Sequence, residues 1–143
     1  MLSITGIKKG IVIDHIPSGY AMVIFDYLNL EEAKYSVALI MNVCSNKMGK
    51  KDIIKIENDV NIDLSILGII STDITINIID KEKIIKKYNP EIPMIINNVI
   101  KCKNPRCVTS VENNIFNKFN LINEEKKEYS CEYCEDIIVV DKL

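Results

Sequence analysis

The chain is poor in the groups that acid–base and nucleophilic catalysis require. Only one of its 143 residues, His15, is a histidine. No HxE or HExxH segment supplies a base, no pair of carboxylates clusters, and no nucleophile has a base beside it. The five glycines are scattered, so no glycine-rich loop cradles a phosphate. These absences together leave an enzyme reading without residues to carry it. Charge of one sign is also lacking. The net charge is −2 and the pI about 5.5, so the basic face that non-specific nucleic-acid binding needs is missing. Residues 1–93 carry 11 lysines against 12 carboxylates and residues 94–143 carry 7 basic against 8 acidic groups, so neither part is a charged tail. No apolar run approaches the roughly 18 residues that cross a bilayer. Nothing resembles a signal peptide, which points to the cytoplasm and away from a membrane or an oxidising compartment.

Cysteine, by contrast, is concentrated. Four of the five cysteines fall in the last third, as Cys102 and Cys107 (C-x4-C), then Cys131 and Cys134 (C-x2-C). Tetrahedral Zn²⁺ takes four thiolates at about 2.3 Å, and a short turn delivers two of them from one loop. The linker Lys103-Asn104-Pro105-Arg106 holds turn formers, and Glu132-Tyr133 makes the second knuckle as short as such a turn can be. The spacing favours one structural zinc per chain over two disulfides or an iron centre held by the same thiolates. Four cysteines leave no open position for water, which argues against a catalytic zinc. Cys44 stands apart and reads as a small buried hydrophobe.

The length suits two small domains, residues 1–93 and 94–143, with Asn89-Pro90 and Ile92-Pro93 as a hinge, because proline removes backbone donors and restricts the residue before it. In the first part, Gly10 to Ile13 reads as a strand ending at the polar pair Asp14-His15, and Pro17-Ser18-Gly19 opens a helix over Tyr20 to Leu28. Tyr35 to Val43 and Asp52 to Glu57 read as a hairpin with a long loop. Asp63 is expected to cap a short helix through Ile70, and Ile74 to Ile79 alternates like a half-buried strand. Lys83 to Tyr88 fits either helix or strand. The order β-α-β-β-α-β with an extra terminal strand predicts an α+β fold: a ferredoxin-like α/β sandwich, an antiparallel sheet with two helices on one face, followed by a small β-rich zinc-binding domain.

Two segments of the first domain carry more than a fold. The runs from Gly6 to Ile16 (GIKKGIVIDHI) and from Met48 to Asn58 (MGKKDIIKIEN), followed by C-x4-C and C-x2-C, closely resemble the regulatory chains of aspartate carbamoyltransferase over essentially the whole sequence. The resemblance implies a non-catalytic allosteric subunit of pyrimidine biosynthesis. Its first domain would bind nucleoside triphosphates (CTP and ATP, with UTP a further candidate) and pair into a homodimer, and its zinc domain would dock on the catalytic chain. It also implies an effector pocket at Ile4, Thr5, Gly6, Ile7, Val12, Asp14, His15, Lys55, Asn77, Ile79, Ile84 and Lys87. Lysines at 55 and 87 suit a triphosphate, and the Asp14 carboxylate suits ribose hydroxyls. The short segment before Ile4 counts against a second nucleotide site built on a longer leader. Pro105-Arg106 departs from the smaller polar pair familiar in the family's first knuckle, and Thr5-Gly6 departs from its usual pair. A stand-alone zinc ribbon binding nucleic acid is the alternative reading, disfavoured by the missing basic stripe.

Overall fold

Isoleucine alternates in three short segments, at Ile11 and Ile13, Ile54 and Ile56, and Ile74, Ile76 and Ile78, and in an extended backbone that spacing puts one apolar row on one face. A computed structural model, which describes residues 6–58, 62–112 and 114–140, shows where those rows go. The chain divides into two compact units, Met1–Glu91 and Ile92–Leu143.

In the first unit β1 (Gly10–Pro17), α1 (Ala21–Tyr27), a 3-10 turn (Leu30–Glu32), β2 (Val37–Ser45), β3 (Gly49–Glu57), α2 (Leu67–Ile70), β4 (Thr75–Asp80) and β5 (Lys83–Tyr88) follow in order. The strands form one antiparallel sheet in the order β2-β3-β1-β4-β5. This is the ferredoxin-like arrangement with a fifth strand added beside β4, and it settles Lys83 to Tyr88 as strand. Ile11 faces Ile56, and Ile13 faces both Ile54 and Ile76. All five are fully buried, together with Ala21, Ile24, Leu67 and Ile69 of the helices, so one face of the sheet carries the core. Gly10 is irreplaceable in this geometry: its φ is +149°, and a Cβ there would lie 2.0 Å from the Ile56 carbonyl oxygen.

Asp14-His15 does not end β1 as expected from its polarity but bends it. The ladder with β3 skips these two residues between Ile13 and Ile16, although Asp14 still pairs with Thr75 of β4, and in this bulge His15 takes a left-handed φ of 56°. A second bulge, in β2 between Ile40 and Val43, lies on the other side of β3 at the same level. Between them sits Asp52, a fully buried carboxylate. It accepts hydrogen bonds from the N–H groups of Gly19 (3.0 Å), Ala21 (3.3 Å) and Asn42 (3.0 Å), tying the start of α1 and the β2 bulge to β3. Asp52→Ala would leave three donors without their acceptor. At about 1–3 kcal/mol for each buried unpaired group, the expected loss is roughly 3 kcal/mol or more. A denaturant midpoint for the first unit that hardly moves would refute this role.

Two local expectations need correction. Asp63 does not cap α2: its carboxylate accepts from Ser65 N at 3.0 Å in the preceding turn, and the helix is only Leu67–Ile70, capped at Ile66 without a side chain. Cys44 is exposed rather than buried. It pairs with Lys50 near the hairpin tip of an edge strand.

The second unit contains β6 (Ile95–Asn97), α3 (Val108–Val111), β7 (Lys118–Asn123), β8 (Glu128–Cys131) and β9 (Ile137–Val139), with the strands in one antiparallel sheet in sequence order. Its core is small: Ile96, Phe119, Tyr129 and Val140 join the buried cysteines. The Tyr129 hydroxyl donates to the Pro93 carbonyl at 2.5 Å, and burial pushes its pKa up to about 12.

Candidate metal centre and ligand-binding face

Each pair of cysteines is presented by a turn that closes on itself. In the first, the Asn104 side chain accepts from Arg106 N at 3.0 Å, the Asn104 carbonyl accepts from Cys107 N at 3.1 Å, and Cys107 then becomes the N-cap of α3. Cys102 N is held by Asn117 Oδ1 at 3.1 Å, a buried contact from outside the knuckle. In the second, Glu135 N donates to the Cys131 carbonyl at 2.9 Å, with Glu135 at a left-handed φ of 65°.

The four Sγ atoms of Cys102, Cys107, Cys131 and Cys134 lie within 4.8 Å of one another. A tetrahedron with metal–sulfur bonds of about 2.3 Å has edges of about 3.8 Å. The contacts Cys102–Cys134 at 3.6 Å and Cys107–Cys131 at 3.8 Å match those edges. A four-way cluster is what one central cation needs and what two separate disulfides would not require. Burial pushes the Cys102 thiol up to about 12 and raises Cys131, and a cation held among these sulfurs would favour their thiolates. Cys107 is lowered, to about 7, chiefly by its hydrogen bond with the Thr109 hydroxyl at 3.0 Å.

The first unit presents a different surface on the sheet face away from the helices. Val12 lies opposite Lys55 on one side and Asn77 on the other, and Asn77 lies opposite Lys87. Directly paired residues share a face, so Lys55, Val12, Asn77 and Lys87 form a single cross-sheet row. Asp14 and Ile79 lie two residues along their strands from this row, and Ile84 pairs with Ile79. His15 joins through its Nδ1, 3.0 Å from the Thr75 hydroxyl. Gly6 and Ile7 line a cleft of about 390 Å³ with Lys8, Ser36, Ala38 and Lys55 among its walls. Ile4 and Thr5 lie outside the described residues.

Chemically the row is neutral in the middle and cationic at both ends. Three inter-strand steps of about 4.8 Å separate Lys55 from Lys87, a span that two long side chains can close over a phosphate chain. Among the described residues neither ammonium has a carboxylate within ion-pair distance. Asn77 is buried and its Nδ2 makes one long contact, 3.4 Å to the Val12 carbonyl.

Sequence reasoning missed three polar residues at this end of the sheet. Lys51 Nζ lies 2.9 Å from Asp14 Oδ1, Thr75 engages His15, and Asp52 holds the backbone around the bulges. Lys51 had a signal available: four residues from Lys55 on one strand, it must share its face.

Comparison with known proteins bears on both surfaces. A family model described as the aspartate carbamoyltransferase regulatory chain, allosteric domain, matches residues 2–91, and one described as the metal binding domain of the same chain matches residues 94–143. The aspartate carbamoyltransferase regulatory chain of Clostridium tetani is 60% identical over 141 residues, 98% of each chain. That of Clostridium botulinum (strain Hall) is 59% identical over 137 residues, 96% of this chain and 94% of the relative. The regulatory chain of Bifidobacterium longum is 44% identical over 135 residues, 94% of this chain and 97% of the relative. No helix among the described residues is long and apolar enough to cross a membrane.

Proposed function

The chain belongs to the family of aspartate carbamoyltransferase regulatory chains, a non-catalytic family, and from that premise we propose how its two domains divide the work. Residues 1–93 bind nucleoside triphosphates, CTP and ATP foremost and UTP as a further candidate, and pair as a homodimer. Residues 94–143 hold one Zn²⁺ and dock on the catalytic chain of a cytoplasmic enzyme of pyrimidine biosynthesis. The observation that carries the nucleotide reading is the row Lys55–Val12–Asn77–Lys87: two cations for a triphosphate, on the face that the helices leave open. Ile4, Thr5, Gly6, Ile7, Asp14, His15, Ile79 and Ile84 complete the proposed pocket around it.

Zinc is favoured for the metal because it is content with four thiolates in a tetrahedron and the sulfur spacings suit it. Elemental analysis of the purified chain should find about one zinc per chain, and iron in its place would overturn the assignment. Docking is supported by what the second domain exposes. Phe116 is 70% exposed, and Val111 and Tyr133 are also open, large apolar side chains of the kind a protein partner would cover. A cleft of about 440 Å³ runs beside the first knuckle, between Lys103-Asn104-Pro105 and β9.

The alternative, a nucleic-acid-binding zinc ribbon, finds no favour in this composition or in the family. The test is assembly. Mixed with the catalytic chain of the matching carbamoyltransferase, the protein should sediment as a larger complex whose activity responds to CTP or ATP. Two chains that sediment separately, with activity indifferent to either nucleotide, would refute the proposal.

A further inference from the structure

Asp14 divides its carboxylate between two tasks. Its Oδ1 takes both partners that the described residues supply: the N–H of His15 at 2.6 Å and the ammonium of Lys51 at 2.9 Å. Its Oδ2 has no partner among the described residues, and the side chain remains 25% accessible on the open face of the sheet. A carboxylate anchored by one oxygen and free at the other suits a pair of vicinal hydroxyls, because the free oxygen can accept from both while the anchored one fixes the plane.

Lys51 reaches this position from an unexpected place. It sits opposite Pro17 and Val43, past the bulges that flank β3, so its side chain crosses the β1 bulge diagonally to meet Asp14. The bulge is a strained piece of backbone, with His15 held at φ 56°, and an aspartate next to it has no rigid strand on both sides to orient it. The His15 N–H is local and moves with the bulge, whereas Lys51 comes from the unbroken strand β3. Lys51 is also only 17% accessible, and its proton donors point at a carboxylate rather than outward like those of Lys87.

We propose that Lys51 is a positioning residue for sugar recognition: it holds the Asp14 carboxylate across the β1 bulge so that Oδ2 meets the ribose hydroxyls of a bound nucleotide, and it does not act as a third phosphate-binding cation. This rests on the nucleotide-binding reading of the same face. It separates two kinds of affinity. Loss of Lys51 removes a positive charge, which weakens every triphosphate alike. Loss of its grip on Asp14 weakens only those that carry ribose hydroxyls.

The experiment measures calorimetric affinities of the full chain for CTP and for 2′,3′-dideoxy-CTP, whose charges are equal. The wild-type chain should prefer CTP by about tenfold or more, the scale of a hydrogen bond to a charged group. In Lys51→Met the ratio should fall to within about twofold of one, and Asp14→Ala should do the same. The double variant should change the ratio no further, since the two residues act as one unit. Lys51→Arg, which keeps a cation at the same reach, should retain the preference and shows that the fold tolerates change at this site. A Lys51→Met chain that loses affinity for both ligands equally, with the ratio intact, makes Lys51 a phosphate contact and overturns the proposal. So does a wild-type ratio near one. Failure of the wild-type chain to bind either triphosphate overturns the nucleotide reading itself.

Discussion

Stripping the metal from the full chain with a thiol-reactive mercurial is expected to unfold residues 92–143 and abolish assembly with the catalytic chain, while nucleotide binding survives. The second unit has too little else to stand on. Its core comes down to Ile96, Phe119, Tyr129 and Val140 around the cysteines, and a single core in a domain this small supplies only a few kcal/mol, which a structural metal or disulfides commonly supplement. Structural zinc contributes about 10–16 kcal/mol in small modules, more than such a core offers. Among the described residues, the loop Lys103 to Arg106 is closed by its own hydrogen bonds only at Asn104, and the cysteines at either end would fix it to the other knuckle through the metal. The first unit owes nothing to the metal, because its sheet and its buried isoleucines close within residues 10–88. Cys131→Ser should act in the same direction, and so should acid, since thiolates must be protonated as the metal leaves. Hydrogen exchange separates the outcomes: protection should vanish at Phe119 and Tyr129 and persist at Ile11 and Ile54. A metal-free chain that still assembled and still passed the nucleotide effect to the catalytic chain would refute the division of labour.

What was legible beforehand depended on how local the determining physics is. The metal knuckles were readable because each is a turn of a few residues whose ligands and turn formers adjoin. The ferredoxin-like α+β order was readable because apolar runs bounded by turn residues mark most strands independently, with isoleucine alternating over Ile74 to Ile78, whereas Lys83 to Tyr88 carried no such pattern. Errors arose where the deciding contact is not written in the residue type, whether its partner is distant or near. Asp14-His15 looks like a strand end until Thr75 and Lys51, 60 and 37 positions away, hold it as a bulge. Cys44 looks like a buried hydrophobe until the hairpin register puts it next to the tip of an edge strand, where it is exposed. Asp63 has cap chemistry, but the chain turns at Ser65 before the helix starts. The ligand-binding face is the extreme case. Its residues were named through family resemblance, and nothing in their spacing says that Lys55, Val12, Asn77 and Lys87 stand in one row, because strand order and register create that row.

Lys55→Ala and Lys87→Ala are each expected to weaken binding of CTP and ATP, by roughly 1.5–3 kcal/mol or about 10- to 150-fold at low salt, the range for a charge-assisted hydrogen bond. The two losses should differ in character. Lys55 is half-buried beside the cleft and pairs across β1, the central strand, where the sheet displaces water and the charge is poorly screened. Lys87 is exposed on edge strand β5, so its contribution should shrink as ionic strength approaches physiological values, where the Debye length is about 8 Å. Titrations at low and moderate salt should therefore find Lys87→Ala converging on wild type while Lys55→Ala stays impaired. Lys118→Ala, on β7 of the metal-binding unit, is the control and should leave affinity unchanged. Both substitutions shorten the reach to phosphate without touching the buried isoleucine core, so thermal stability should hold. If both variants bound CTP and ATP with unchanged calorimetric affinity at low salt, the row would lose its phosphate role, and the triphosphate would have to be sought elsewhere on the chain.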